Sequence, residues 1–222
     1  PDLATSAARV EDILIGIVVS LVIAVLLWPR GIYAGLGSNV VDAIAACRRV
    51  LQEAMADFIH GGGHLGSDGI QAMRTAMARA MEIVEVLVNS HAANSQQRAT
   101  QWSEVLDNLR TLSVAGVLIG AWAKGQPSVE QLVPELVAPL TDDTRAASAA
   151  WEEVSDTLQG RSAVQGAEVS PFVNRAVHVM DGVDLTDRRV AERVVAAIWQ
   201  HSWLHVTDQA AATALEPARA LA

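Results

Sequence analysis

Residues 13–28 read ILIGIVVSLVIAVLLW, sixteen residues without a charge, closed by Pro29 and Arg30. At about 1.5 Å of rise per residue the run measures about 24 Å as a helix, slightly short of the ~30 Å hydrocarbon layer of a bilayer. Trp28 and Tyr33 follow where aromatic side chains meet headgroups. The stretch therefore predicts one transmembrane helix, which with its flanks takes up residues 1–36. Its many β-branched residues also suit a buried helix or strand of a water-exposed domain. A secretory leader is disfavoured, because the preceding Asp2, Arg9, Glu11 and Asp12 are net acidic and no small-residue cleavage site is present.

Working outward, Arg30, Arg48 and Arg49 downstream outweigh Arg9 upstream, so the positive-inside tendency puts the C-terminal side in the cytoplasm. Gly16, Ser20 and Ala24 recur every four residues and share one helix face, where small side chains admit a second helix at close range. The chain opens on Pro1, as a piece of a longer protein would. Of its 222 residues 51% are hydrophobic and 18% charged, too apolar a balance for a disordered chain. A net charge of −9 argues against nucleic acid as a partner, since phosphate contacts need a basic surface. Cys47, the single cysteine, has no internal disulfide partner and falls among apolar helix positions, which predicts a buried thiol.

Residues 37–222 predict a cytoplasmic helical domain of five or six helices, so the expected class is all-α. From residue 38 to about 59, Val40, Ala43, Ile44, Cys47, Val50, Leu51, Ala54 and Phe58 recur at helical spacing. The HGGGH stretch at 60–64 breaks that pattern, and Ser67 with Asp68 starts a second helix with Ile70, Met73, Met77, Ala80, Met81, Val84 and Leu87 on its apolar face. A third runs over about 98–124 and ends in LSVAGVLIGAWA, expected to be a buried helix end. Pro127, Pro134 and Pro139 mark a looser region with a short helical pattern in VEQLV. A helix over about 144–158 precedes the loop-like QGRSAVQGAEVSP, and the last helix runs over about 188–205 with Val190, Val194, Val195, Ile198 and Trp199 as its apolar side.

Little here carries chemistry. His60 and His64 flank three glycines, but no G-x-S-x-G accompanies them and flexible glycines fix no metal geometry. His201 and His205 lie four apart, without the glutamate of a zinc protease between them. Plain roles, an interhelical turn and two packing or surface histidines, account for both pairs. Met73, Met77 and Met81 read as core filling. The expectation is a protein that is not an enzyme and holds neither metal nor cofactor.

The segment RVEDILIGIVVSLVIAVLLWPRG resembles the last transmembrane helix of the fusaric acid resistance family, also called aromatic acid exporters, through Arg9, Asp12, Gly16, Pro29 and Arg30. NVVDAIAACRRVLQEAMADF is similar to the cytoplasmic helices that follow that segment in the family. The resemblance covers about the first quarter of the chain. It implies the C-terminal part of a bacterial inner-membrane efflux transporter for small aromatic or organic acids, driven by protons. Other transmembrane helices of the same protein or oligomer, the lipid bilayer and an organic acid substrate are then the partners. Arg9, Asp12, Gly16 and Ser20 are the candidate residues for the substrate pathway or for helix packing. The alternative is a single-pass, membrane-anchored helical interaction or sensor module.

Overall fold

The computed structural model describes residues 3–88, 93–161 and 183–222, with side chains at 17, 19, 20, 35–88, 96–161 and 183–222. Among these are six α-helices and one 3-10 turn: α1 (Leu3–His60), α2 (Ser67–Val88), α3 (Ala93–Ala123), α4 (Val129–Leu132), the turn at Pro134–Leu136, α5 (Val137–Leu158) and α6 (Arg188–Leu221). No strand occurs among the described residues, so the class is all-α. The chain divides into two compact units, Pro1–Ser38 and Asn39–Ala222.

In the first unit residues 13–28 are helical, and Ile17, Val19 and Ser20 are exposed. The helix does not end at Pro29, where an end was expected. A proline withdraws one N–H from the ladder, and the turns on either side carry the helix past it. Arg9, Asp12, Gly16 and Ala24 lie on α1, but their surroundings fall outside the described residues. Among the described residues no helix is long and apolar enough to cross a membrane. The spanning reading of 13–28 therefore rests on its sequence.

In the second unit, residues 39–60 of α1 bury Val40, Ala43, Ile44, Cys47, Val50, Leu51, Ala54 and Phe58, the expected face. Gly61, Gly62 and Gly63 then turn the chain with φ of 78°, 110° and 71°, a left-handed run that side chains bearing a Cβ resist. Asp57 steadies the turn by accepting from the backbone N–H groups of His64 and Leu65. In α2, Met73, Met77, Ala80, Val84 and Leu87 are buried as expected, whereas Met81 is exposed. On α3, Trp102, Val105, Leu106, Leu109, Leu112, Ala115 and Ile119 are buried. A Cβ on Gly116 would stand 3.0 Å from Val50 Cγ1 and 3.2 Å from the Leu51 backbone nitrogen, so this glycine lets α3 lie directly on α1.

Three expectations are corrected here. The apolar end of α3 is not buried all round: Val114, Leu118 and Trp122 point outward, because a helix in contact with neighbours on one side leaves the opposite stripe uncovered. α5 begins at Val137, seven residues earlier than expected, with Pro139 in the first turn, where a missing N–H costs nothing. α6 continues to Leu221 and only part of its expected face turns inward: Val194 is buried as expected and Val190 half-buried, but Val195, Ile198 and Trp199 are exposed, while Arg193, Ala197, Gln200, Leu204, Thr207, Ala211, Ala214 and Ala218 are buried. Small side chains on that inner face allow close packing against α3 and α5. Trp151 of α5, fully buried, spans the contact with an Nε1–H donated to the Thr207 carbonyl at 3.0 Å.

Candidate functional site

The end of α3 and the start of α6 enclose an open cleft of about 1070 Å³. Local chemistry sets both helix ends. α3 stops where Gly125 takes a left-handed φ of 75°, the usual glycine exit from a helix, and Pro127 follows. α6 starts at Asp187, whose carboxylate accepts from the Arg189 N–H at 2.8 Å as an N-cap. Just upstream, Asp184 accepts from the Thr186 hydroxyl (2.6 Å) and N–H (3.0 Å), and these bonds hold its carboxyl below the usual range.

Arg189 and Arg193 are one turn apart, so both reach the cleft, Arg189 from the exposed rim and Arg193 from beneath. Arg193 is only 5% exposed. Its Nη2 donates to the Phe58 carbonyl at 3.0 Å, one of the last carbonyls of α1, which have no intrahelical donor. The guanidinium also sits 4.1 Å from the Phe58 ring centroid, a cation–π contact. Its Nε has no hydrogen-bond partner among the described residues. Burial draws the Arg193 pKa down to about 10, so the group stays a cation at neutral pH. A buried cation is costly, and one carbonyl with one ring, its contacts among the described residues, offset only part of that cost.

The rest of the lining is mixed. Lys124 and Arg189 add positive charge, and Trp122, Pro127 and Leu132 add apolar wall. Glu192, the one carboxylate among the described lining residues, is engaged by Arg188 Nε at 2.7 Å. Trp122 stacks on Trp199 with centroids 6.4 Å apart and planes at 14°, and Trp199 meets Trp203 at 6.5 Å.

Among the described lining residues of this cleft there is no histidine. Of Arg9, Asp12, Gly16 and Ser20, Ser20 is exposed and the surroundings of the other three fall outside the described residues. His60 pairs with Glu130 at 3.0 Å. His201 pairs with Asp143 at 3.1 Å in a part-buried contact, and His205 meets Gln209 at 3.1 Å. Among the described residues no three His, Cys, Asp or Glu side chains gather as a metal site would require. Lys124, Arg189 and Arg193 were missed by sequence reasoning. The available signal was the pair Arg189 and Arg193, one turn apart in an acidic chain, but nothing in the sequence placed Lys124 beside them. No family model, curated protein or solved structure matches the chain.

Proposed function

We propose that the chain is the C-terminal part of an inner-membrane efflux protein that exports small aromatic or organic acids, driven by the proton gradient. The observation that carries the reading is the placement of Arg9, Asp12, Gly16, Pro29 and Arg30 around sixteen uncharged residues. Ionisable groups at an apolar membrane helix are costly unless they face a polar cavity. Arg9 would draw in a carboxylate by charge-assisted hydrogen bonding, and Asp12 would carry a proton. The Gly16 and Ser20 face packs against further transmembrane helices of the same protein or oligomer. The chain's own side chains perform no covalent chemistry.

The test uses the complete gene product. Five or more apolar spans upstream of Pro1 are expected, and a start codon close to Pro1 would sink the reading. In cells expressing the complete protein, Arg9→Gln and Asp12→Asn should each cut benzoate export several-fold at normal membrane levels. Wild-type export by both variants would leave the two residues as interfacial markers only. A second reading, a membrane-anchored interaction module, is favoured by the exposed Trp122 and Trp199 face and would be recognised by a complete protein that has one span and exports nothing.

A further inference from the structure

The Arg193 cleft opens onto an apolar valley, and the two share Trp122 and Val195, which are 51% and 59% exposed. From Trp122 the exposed positions step back along α3 by fours, to Leu118 and Val114. From Val195 they step forward along α6, to Ile198 and Trp199. Residues at such spacing share a helix face, so each set is a stripe leading away from the cleft. Val114 to Trp122 covers about 12 Å of helix axis. The Trp122–Trp199 stack ties the two stripes together beside the cleft. A contiguous exposed apolar surface of this kind marks contact with something apolar.

The head of the valley has the opposite character. Lys124 and Arg189 stand at the cleft rim and Arg193 lies beneath it, while Glu192 is already held by Arg188. This cationic cluster belongs to a protein whose net charge is −9. Arg193 is the decisive member, a buried guanidinium whose Nε lacks a partner among the described residues. An anionic head joined to a hydrocarbon tail satisfies both halves at once.

We propose that the cleft and valley bind a single-chain fatty carboxylate, its head against Arg193, Lys124 and Arg189 and its tail along the Trp122, Leu118 and Trp199 stripes. A one-ring acid fills little of a cleft of about 1070 Å³ and leaves the stripes uncovered. An inorganic anion covers none of the apolar wall. The site uses residues of the Asn39–Ala222 unit alone, so it stands whether or not the protein exports organic acids.

The test is photolabelling of the full chain, held in phosphatidylcholine nanodiscs, by a diazirine-bearing fatty acid, with labelled peptides mapped by mass spectrometry. Labelling is expected over residues 114–122 and 195–206. Laurate should compete at concentrations at least about tenfold below those needed for dodecanol, the ratio that one charge-assisted hydrogen bond supplies. Benzoate and inorganic phosphate should not compete over the same range. Lys124→Gln combined with Arg189→Gln, both at exposed positions, should cut labelling at least about fivefold with helicity unchanged by circular dichroism. Arg193→Met should cut it further, and the exposed double variant keeps the test decisive if Arg193→Met fails to fold. Equal competition by dodecanol would overturn charge recognition, and equal competition by benzoate would overturn the role of the tail. Labelling of the same peptides by a diazirine phospholipid, undiminished by laurate, would put bilayer lipid on the stripes instead and overturn the proposal.

Discussion

Cys47 is fully buried, and burial raises its thiol pKa from 9.0 to about 12. The thiolate is the nucleophile, so the folded protein should resist maleimide at pH 8 and react within minutes once unfolded in guanidinium. Mass spectrometry of the two samples checks this, and rapid labelling of the folded chain would contradict the burial. The same shift has a sign. Below about pH 9 the thiol is neutral whether the chain is folded or not, whereas between pH 9 and 12 only the unfolded chain ionises, so rising pH favours unfolding there. Wild type should lose more stability than Cys47→Ala between pH 8 and 10.5, measured by urea midpoints at each pH.

Gly116 and Gly120 are one turn apart on α3 yet predict opposite tolerance. At Gly116 the obstacle to a methyl group includes the Leu51 backbone of α1, which cannot move without shifting a helix. Gly116→Ala should therefore destabilise by about 1–3 kcal/mol despite the better helix propensity of alanine. At Gly120 the nearest atom is Leu65 Cδ2, the tip of a part-buried side chain in the turn after α1, and it can rotate away. Gly120→Ala should fall within about 1 kcal/mol of wild type, because helix propensity offsets the rearrangement. Urea denaturation of both variants decides the matter, and equal losses would mean that Leu65 is as immovable as the α1 backbone. In the sequence the two glycines are indistinguishable within the apolar run LSVAGVLIGAWA, since nothing in the string says which helix lies against them.

For the whole molecule, the division into Pro1–Ser38 and Asn39–Ala222 predicts separable stability. Among the described side chains, the largest fully buried ones belong to the second unit except for Leu36. Deleting residues 1–38 should leave a cooperative thermal transition, with Tm within about 5 °C of the full chain, a shift worth about 1–2 kcal/mol in a domain of this size. Calorimetry of both proteins checks it, and loss of the transition would show that the second unit needs the first.

Sequence alone determined the all-α class, the face of the α1 continuation and most of that of α2, the glycine turn at 60–64 and the burial of Cys47. Each follows from local rules: periodicity of three and four, left-handed freedom at glycine, and the preference of a thiol for apolar neighbours. The inward face of α6 was decided only by the tertiary structure. Of the expected face Val190, Val194, Val195, Ile198 and Trp199, Val194 is buried but Val195, Ile198 and Trp199 are exposed, and the space between α3, α5 and α6 admits mainly alanines, with Arg193, Gln200 and Thr207 among them. How near the neighbouring helices come sets which face is buried, and that distance is not written in one helix's own periodicity. The same packing brings Lys124 from the end of α3 to the two arginines of α6, sixty-five and sixty-nine positions away in the chain, and so creates a charged cleft that no local pattern announces.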